Sequence, residues 1–183
     1  MRRKWKLGLI VFFSVVVLLV ATVAVLRMNT KKHSPVDKIS FNQENLEVKV
    51  VYCQPTKKGR LIFGEEADGA LQPWGVYWRL GANEATTIEV SSDISFGGKP
   101  LKAGKYALYA FPGKESWQIG VNTVANRWGY SEPDYSKDVF RIELPVTYTE
   151  NVVEMFTMTL EPVDEGANLV MKWDTSVVRV PIK

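Results

Sequence analysis

The sequence has a single cysteine and a single histidine, and these two shortages exclude several kinds of chemistry. With Cys53 alone, an intramolecular disulfide is impossible, and so is a zinc site built from four cysteines or from two cysteines and two histidines. His33 lies in a polar segment ahead of the predicted domain, so that domain can contain no histidine-dependent triad, dyad or metal cluster. We therefore predict no metal site and no cofactor. The apolar run around Cys53 indicates a packed thiol.

A net positive charge is absent outside the N-terminus. The chain has 183 residues, with 23 Lys and Arg against 20 Asp and Glu, but residues 1–32 hold seven of the basic residues and no acid. Residues 33–183 thus carry 16 basic and 20 acidic side chains, a net charge of −4. Nucleic-acid binding needs a concentrated Lys and Arg surface, so we exclude nucleic acid as a partner.

Charge is absent from residues 7–26, which are dominated by Val, Leu, Ile and Phe. A helix of this length spans ~30 Å, the hydrocarbon thickness of a bilayer, which predicts a transmembrane helix that acts as a signal anchor. More basic side chains precede the segment than follow it. This bias predicts a cytoplasmic basic tail at residues 1–6 and a single-pass protein whose domain lies outside the cytoplasm, in the periplasm or at the cell surface.

A cleaved secretory signal is the alternative interpretation of the same segment. The apolar run is longer than the ~7–15 residues that are usual for such signals, and no Ala-x-Ala site stands at its end. Both interpretations export the rest of the chain, and the length of the run favours an anchor bound to the lipid bilayer.

Strand patterns follow a polar, proline-containing segment at residues 27–36 that we interpret as a linker. The clearest pattern is an alternation of period two that would bury one row of side chains, Leu46, Val48, Val50 and Tyr52. Further short runs of strand character recur along the chain: Val76–Leu80, Thr86–Ser91, Tyr106–Phe111, Trp117–Asn122, Val139–Leu144, Glu154–Leu160, Leu169–Trp173 and Val177–Ile182.

Turn signals separate these runs. Two adjacent glycines, Gly97 and Gly98, tolerate the positive φ of a tight hairpin turn. Nine or so short strands at intervals of roughly 8–12 residues, without a helical period, predict one all-β domain at residues 37–183. The expected architecture is an antiparallel β-sandwich or a jelly-roll-like domain.

The densest cluster of polar residues leaves one predicted strand, turns and enters the next. It places a guanidinium, an amide and a carboxylate within a few residues, at Arg79, Asn83 and Glu84. One interpretation is a shared cleft that binds an anionic or polyhydroxylated ligand. The structural alternative is that Arg79 pairs with Glu84 or another acid and fixes the turn.

Two further groups add candidates. Arg60 stands between the glycines of Gly59–Gly64 and is predicted either to form a structural ion pair or to reach a ligand. Tryptophan at strand positions is usually core, although an exposed pair could form a stacking platform for sugar rings. The predicted ligand-binding residues are Arg60, Trp78, Arg79, Asn83, Glu84, Thr86, Asn122 and Trp128.

Several of these motifs together resemble the Domain of Unknown Function 2911 family, which occurs in exported bacterial proteins. The resemblance covers about residues 34–183. It rests on Gly59-Arg-x-Ile-Phe-Gly64, Trp78-Arg-x-Gly-Ala-Asn-Glu-x-Thr-Thr87, Ala103-Gly-x-Tyr-x-Leu108 with Pro112, and Asn122 followed by Trp128-Gly129. What the resemblance implies is an exported β-rich domain without an assigned activity.

Three functional hypotheses follow. The leading one is a membrane-anchored extracytoplasmic domain that is not an enzyme and binds a glycan, another small polar ligand or an envelope component. The second is a hydrolase or isomerase in which Glu84 acts as general base while Arg79 or Arg60 stabilises developing negative charge. The third is a structural component of envelope assembly that pairs with an envelope protein through an exposed sheet edge.

Overall fold

A helix occupies the N-terminal part of the chain, and strands dominate the remainder. The computed structural model describes residues 2–43 and 46–183, with side chains at all of these except 2–5, 7, 27 and 28. Two compact units, Met1–His33 and Ser34–Lys183, are separated by the pattern of contacts. Within the described residues, helix α1 is Arg2–His33 and the strands are β1 Val36–Gln43, β2 Leu46–Cys53, β3 Phe63–Gly64, β4 Gln72–Pro73, β5 Thr86–Val90, β6 Ile94–Phe96, β7 Lys99–Leu101, β8 Gly104–Phe111, β9 Ser116–Asn122, β10 Asp138–Val163 and β11 Gly166–Ile182.

Helix α1 is long and apolar enough to cross a bilayer. An 18-residue window within its segment Gly8–His33 has a mean hydropathy of 3.2, which by length and composition fits either a membrane anchor or a signal sequence. The helix continues to His33, so much of the segment interpreted as a linker, residues 27–36, is helical. The predicted orientation depends on basic side chains at both ends of the helix. Four of them lie outside the described side chains: Arg2, Arg3, Lys4 and Arg27.

The second unit is an antiparallel β-sandwich, as the strand pattern predicts. One layer runs in the order β1-β2-β5-β8-β9-β10 and the other in the order β10-β11-β6-β7, while β3 and β4 form a small parallel pair. Strand β10 belongs to both layers because it changes partner midway. Its residues up to Pro145 pair with β9, and from Val146 onward they pair with β11.

Two local patterns in the sequence are confirmed. In β2, the side chains of Val48, Val50 and Tyr52 are buried, as their alternation predicts. Gly97 and Gly98 adopt φ values of 57° and 83° and connect β6 to β7, which pair in the register Phe96↔Lys99. The positive φ at both central positions matches a tight hairpin turn.

Several strand assignments differ from the sequence pattern, including two pairs of predicted strands that are the single strands β10 and β11. The run Val76–Leu80 is wrong as a strand, because only Trp78 makes a bridge there, to Ala110. Strand β1 was not among the predicted strands. Its sequence alternates weakly and is mostly polar, because as an edge strand it pairs with β2 on one side only.

Large aromatic side chains fill the centre of the sandwich. Ring centroids lie 4.9–5.9 Å apart in a cluster that draws on both layers and on β3: Phe63, Trp78, Trp117, Phe156 and Trp173. The core interpretation of tryptophan is therefore confirmed for Trp78, Trp117 and Trp173. Removing one such side chain typically costs about 3–5 kcal/mol, so this cluster stabilises the layers against each other.

Candidate functional site

The turn after Trp78 is held by its own backbone and by the neighbouring strand. Leu80, Gly81 and Asn83 all have positive φ, at 50°, 145° and 59°. Gly81 lies so close to β2 that a Cβ atom there would be 2.7 Å from the carbonyl oxygen of Cys53. This close approach accounts for a glycine at this point of the motif.

Three of the predicted ligand residues stabilise this turn. The buried Trp78 donates from Nε1 to the carbonyl of Gly81 at 3.1 Å. The Thr86 hydroxyl is buried and donates to the carbonyl of Leu80 at 2.5 Å. The Asn83 amide is 7% exposed and donates to the carbonyl of Ser34 at 3.4 Å.

A second segment lies against the turn and brings Trp128 to it. Glu84 and Trp128 form an isolated antiparallel bridge. The backbone N–H of Gly129 donates to Asn83 at 3.0 Å, and that of Ala85 donates to Arg127 at 3.2 Å. Arg79, Asn83, Glu84 and Trp128 are therefore assembled at one place, which we call the Arg79 site.

Arg79 is half-buried within this site. Its guanidinium carbon lies 5.7 Å from the ring centroid of Tyr130, and a Cβ at Gly129 would be 2.8 Å from its Cδ. Burial lowers the pKa of the Arg79 guanidinium, while the adjacent hydroxyls of Tyr77 and Tyr130 act in the opposite direction. Glu84 Oε2 lies 3.9 Å from the sulfur of the buried Cys53.

Arg127 is a member of the Arg79 site that the sequence did not single out. Its guanidinium donates from Nη2 to the Tyr77 hydroxyl at 2.7 Å and from Nη1 to the carbonyl of Ser131 at 2.6 Å. In the part of the chain that the structure describes, its buried Nε has no hydrogen-bond partner. Only the run Asn126-Arg127-Trp128-Gly129 in a loop could have suggested this residue.

Two predicted ligand residues belong to other parts of the fold. Asn122 is fully buried and donates from Nδ2 to Asp134 and Asp138, so its amide fixes the loop that precedes β10. Arg60 donates to the backbone carbonyls of Thr56 and Lys57, a turn beside β10. Both side chains thus have clear structural partners.

A separate cleft opens between the β3–β4 region and the β10–β11 pair. We call it the Trp74 cleft. Its volume is 440 Å³, and most of its lining residues are aromatic, acidic or hydroxyl-bearing. The lining consists of Leu61, Phe63, Gly64, Glu65, Asp68, Trp74, Lys114, Tyr148, Asp174, Thr175 and Ser176. None of the predicted ligand residues lines it.

Asp174 occupies an irregular position in this cleft. It has φ of 54° although it is not glycine, and the register of β10 against β11 shifts on both sides of its pairing with Val153. Its carboxylate forms an ion pair of 2.5 Å with Lys57, and both side chains are largely buried. A polar break in the sequence, Asp174-Thr175-Ser176 between two predicted strands, was the available signal.

The described residues contain no group of three His, Cys, Asp or Glu side chains placed to hold a metal ion. The Trp74 cleft can instead offer carboxylate acceptors beside aromatic rings. The Arg79 site offers two guanidinium groups beside aromatic rings. The cleft therefore suits a neutral or cationic ligand, whereas the Arg79 site suits an anionic one.

Comparison with known proteins identifies a family. A model described as a protein of unknown function, DUF2911, matches residues 34–182, which is most of the chain and nearly all of the second unit. Searches of curated proteins and of solved structures gave no match. The matched range includes both the Arg79 site and the Trp74 cleft, and the chain belongs to the DUF2911 family.

Proposed function

We propose that this protein is a membrane-anchored domain outside the cytoplasm that binds a sugar or amino sugar in the Trp74 cleft. The observation that carries the proposal is the cleft itself. Its 440 Å³ falls within the ~300–1,000 Å³ that is typical of small-molecule sites. Its aromatic and polar lining suits a ligand with both apolar ring faces and hydroxyl groups.

The aromatic side of the cleft can hold a sugar ring. Trp74 is stacked on Phe63 with ring centroids 6.0 Å apart and an angle of 12° between the planes, so its indole orientation is fixed by the core. Tyr148 is 56% exposed and its hydroxyl donates to the carbonyl of Lys114. Rings that are already oriented lose little conformational entropy when a ligand packs on them.

The polar side of the cleft favours a neutral or cationic ligand. Glu65, Asp68 and Asp174 supply three carboxylates, against Lys114 in the lining and Lys57, which is paired with Asp174. Carboxylates accept hydrogen bonds from sugar hydroxyls and from the ammonium group of an amino sugar. The same charges disfavour small acids as ligands.

Backbone strain at Asp174 supports a functional role. Positive φ in a non-glycine residue costs of the order of 1 kcal/mol or more and persists where surrounding structure enforces it. Here the Lys57 ion pair and the bridge between Thr56 and Met155 hold the adjacent segments. Such strained positions cluster at ligand sites.

Anchoring is supported by helix α1. The uncharged run of residues 7–26 and its basic flank fit a signal anchor with a cytoplasmic N-terminus. An extracytoplasmic position would give the Trp74 cleft access to the sugars of the cell envelope.

The test is ligand-dependent stabilisation of the full chain in an uncharged detergent. We expect neutral chitooligosaccharides or their cationic, deacetylated forms to raise the thermal midpoint in a saturable way, as a ligand that binds only the folded state must. Tyr148→Ala and Asp174→Asn should each weaken the apparent affinity by about tenfold, a loss of ~1.4 kcal/mol. Asn at 174 retains tolerance of positive φ while removing the charge.

Tyr130→Ala is the matched control, because Tyr130 is 75% exposed but lies in the Arg79 site. Its affinity for the sugar should equal that of the unchanged chain. The proposal fails if no glycan shifts the midpoint, or if Tyr130→Ala and Tyr148→Ala weaken binding equally.

A further inference from the structure

The Arg79 site contains two arginines whose charge is not balanced by a paired carboxylate. Among the ion pairs of the described residues, none includes Arg79 or Arg127. Arg79 faces Tyr130, and Arg127 lies 5.7 Å from the ring centroid of Tyr77. Aromatic faces attract a cation but carry no net charge, so neither ring contact neutralises its arginine.

The arginines converge because the segments that carry them are paired. Arg127 precedes Trp128 and Gly129, which bond to the turn at Asn83 and Glu84. Gly129 packs on the Arg79 side chain, while its carbonyl accepts from the Tyr77 hydroxyl at 3.1 Å. That hydroxyl in turn accepts from Arg127. Tyr77 and Gly129 therefore connect Arg79 to Arg127.

The electrostatics of the pair favour an added negative charge. The charge of Arg127 contributes to the lowered pKa of Arg79, after the larger effect of burial. The nearby hydroxyls of Tyr77 and Tyr130 and the Cys53 thiol act on the pKa of Arg79 in the opposite direction. The Glu84 carboxylate lies beside the Cys53 sulfur. The buried Nε of Arg127 retains an unused donor in the described structure. A buried donor without a partner destabilises the folded state, and an oxyanion could accept from it.

We propose that Arg79 and Arg127 together bind a phosphate group. A guanidinium presents a planar fork of donors that matches the oxygens of an oxyanion, and two forks can hold one phosphate from two sides. The bound anion would offset the repulsion between the arginines. This site is separate from the Trp74 cleft and does not depend on the sugar proposal.

The phosphate could belong to a lipid headgroup or to a free anion. Ser34, whose carbonyl accepts from Asn83, follows the uncharged run 7–26 by only eight residues in the chain. Trp128 and Tyr130 are 37% and 75% exposed. Tryptophan and tyrosine are enriched at membrane interfaces, so a lipid phosphate is the favoured source.

The test uses the full chain in an uncharged detergent, with the thermal midpoint and the phosphorus-31 linewidth as readouts. One arm adds inorganic phosphate at constant ionic strength, a second adds short-chain phosphatidylglycerol, and a third adds a diacylglycerol without phosphate. We expect saturable stabilisation and line broadening with phosphatidylglycerol but not with diacylglycerol. A response to inorganic phosphate as well would support a site that also accepts the free anion.

Variants connect the response to the site. Arg79→Gln and Arg127→Gln should each weaken the apparent affinity at least tenfold, and Arg79→Lys should weaken it less because it keeps the charge. Arg179→Gln is the matched control, since Arg179 is an exposed arginine on β11 that bonds to Thr147. If Arg127→Gln does not fold, Arg79→Gln decides alone.

Two outcomes would overturn the proposal. One is the absence of any response to either phosphate source. The other is a response that Arg79→Gln and Arg179→Gln change equally, which would indicate general screening of charge. Tyr148→Ala should leave the phosphate response intact, so failure of this site and failure of the Trp74 cleft are distinguishable.

Discussion

Gly120 on β9 determines how side chains pack on the outer face of the layer that contains β8 and β9. The ring of Tyr109 lies directly over it, and a Cβ at position 120 would be 2.0 Å from the ring. The Tyr109 hydroxyl is thereby held at 2.5 Å from Asp138, whose carboxylate also accepts from Arg141 and Asn122. A largely buried carboxylate with three donors stabilises the loop that leads into β10.

We therefore expect Gly120→Ala to lower the free energy of unfolding by about 1–3 kcal/mol, the usual cost of overpacking. Chemical denaturation measures the loss. In the double variant Gly120→Ala/Tyr109→Ala the clash is absent, so the two losses should be less than additive. Strict additivity would show that the ring can move aside without cost.

Tyr52 connects the two layers and should make stability depend on alkaline pH. Its hydroxyl accepts from the N–H of Met158 at 2.9 Å and donates to Asp37 at 2.9 Å. Burial raises the pKa of Tyr52 to about 12, from an ordinary value of ~10. A raised pKa means that the folded chain binds more protons than the unfolded chain in this window. Stability from this group is complete below pH ~10 and is lost as pH rises toward ~12.

The prediction is a falling free energy of unfolding across that window, with a shallower slope in Tyr52→Phe. Denaturant titrations at a series of pH values measure both. Tyr106→Phe is the control for loss of a hydroxyl, since the Tyr106 hydroxyl donates to the carbonyl of Lys102 at the surface. Equal slopes in Tyr52→Phe and the unchanged chain would contradict the assignment.

Among the elements, the β6–β7 hairpin offers two glycines in similar backbone conformations and different surroundings. Gly98 has open space around a Cβ, whereas a Cβ at Gly97 would lie 2.2 Å from Cδ1 of Ile142. Gly98→Ala should cost about 1 kcal/mol, from the positive φ alone. Gly97→Ala should cost clearly more, because steric overlap with the core adds to the strain. Thermal unfolding of both variants checks the order, and equal losses would refute it.

At the scale of the whole molecule, each of the two units can be tested by a separate experiment. All core residues of the sandwich lie between Ile39 and Ile182, so a chain of residues 34–183 should fold and remain in solution. The full chain should stay in the membrane fraction with its N-terminal peptide intact, because the uncharged run is long enough to span the bilayer. Mass spectrometry of the N-terminus is the measurement. A mature chain that begins near Ala24 would indicate a cleaved signal instead.

The fold was largely predictable from local patterns, and the sites were less so. Alternation in β2 and the two glycines at 97 and 98 were sufficient because each feature depends on neighbours along the chain. The same approach divided the sequence around Asp174 into two strands, whereas β11 is continuous with an irregular register. A bulge depends on the partner strand, so the local alternation of apolar and polar residues does not predict it.

The sequence by itself determined the class of the protein: one apolar helix, an acidic domain of β-strands, and a family whose motifs are recognisable. Hydropathy and strand periodicity depend on residues that are close together in the chain, which is why the sequence alone predicts the helix and the strands. Only the tertiary structure decided which polar groups meet. Arg127 reaches the hydroxyl of Tyr77 from 50 positions away, and Asp174 reaches Lys57 from 117. Such contacts depend on how the strands are paired, and that pairing is a property of the folded molecule.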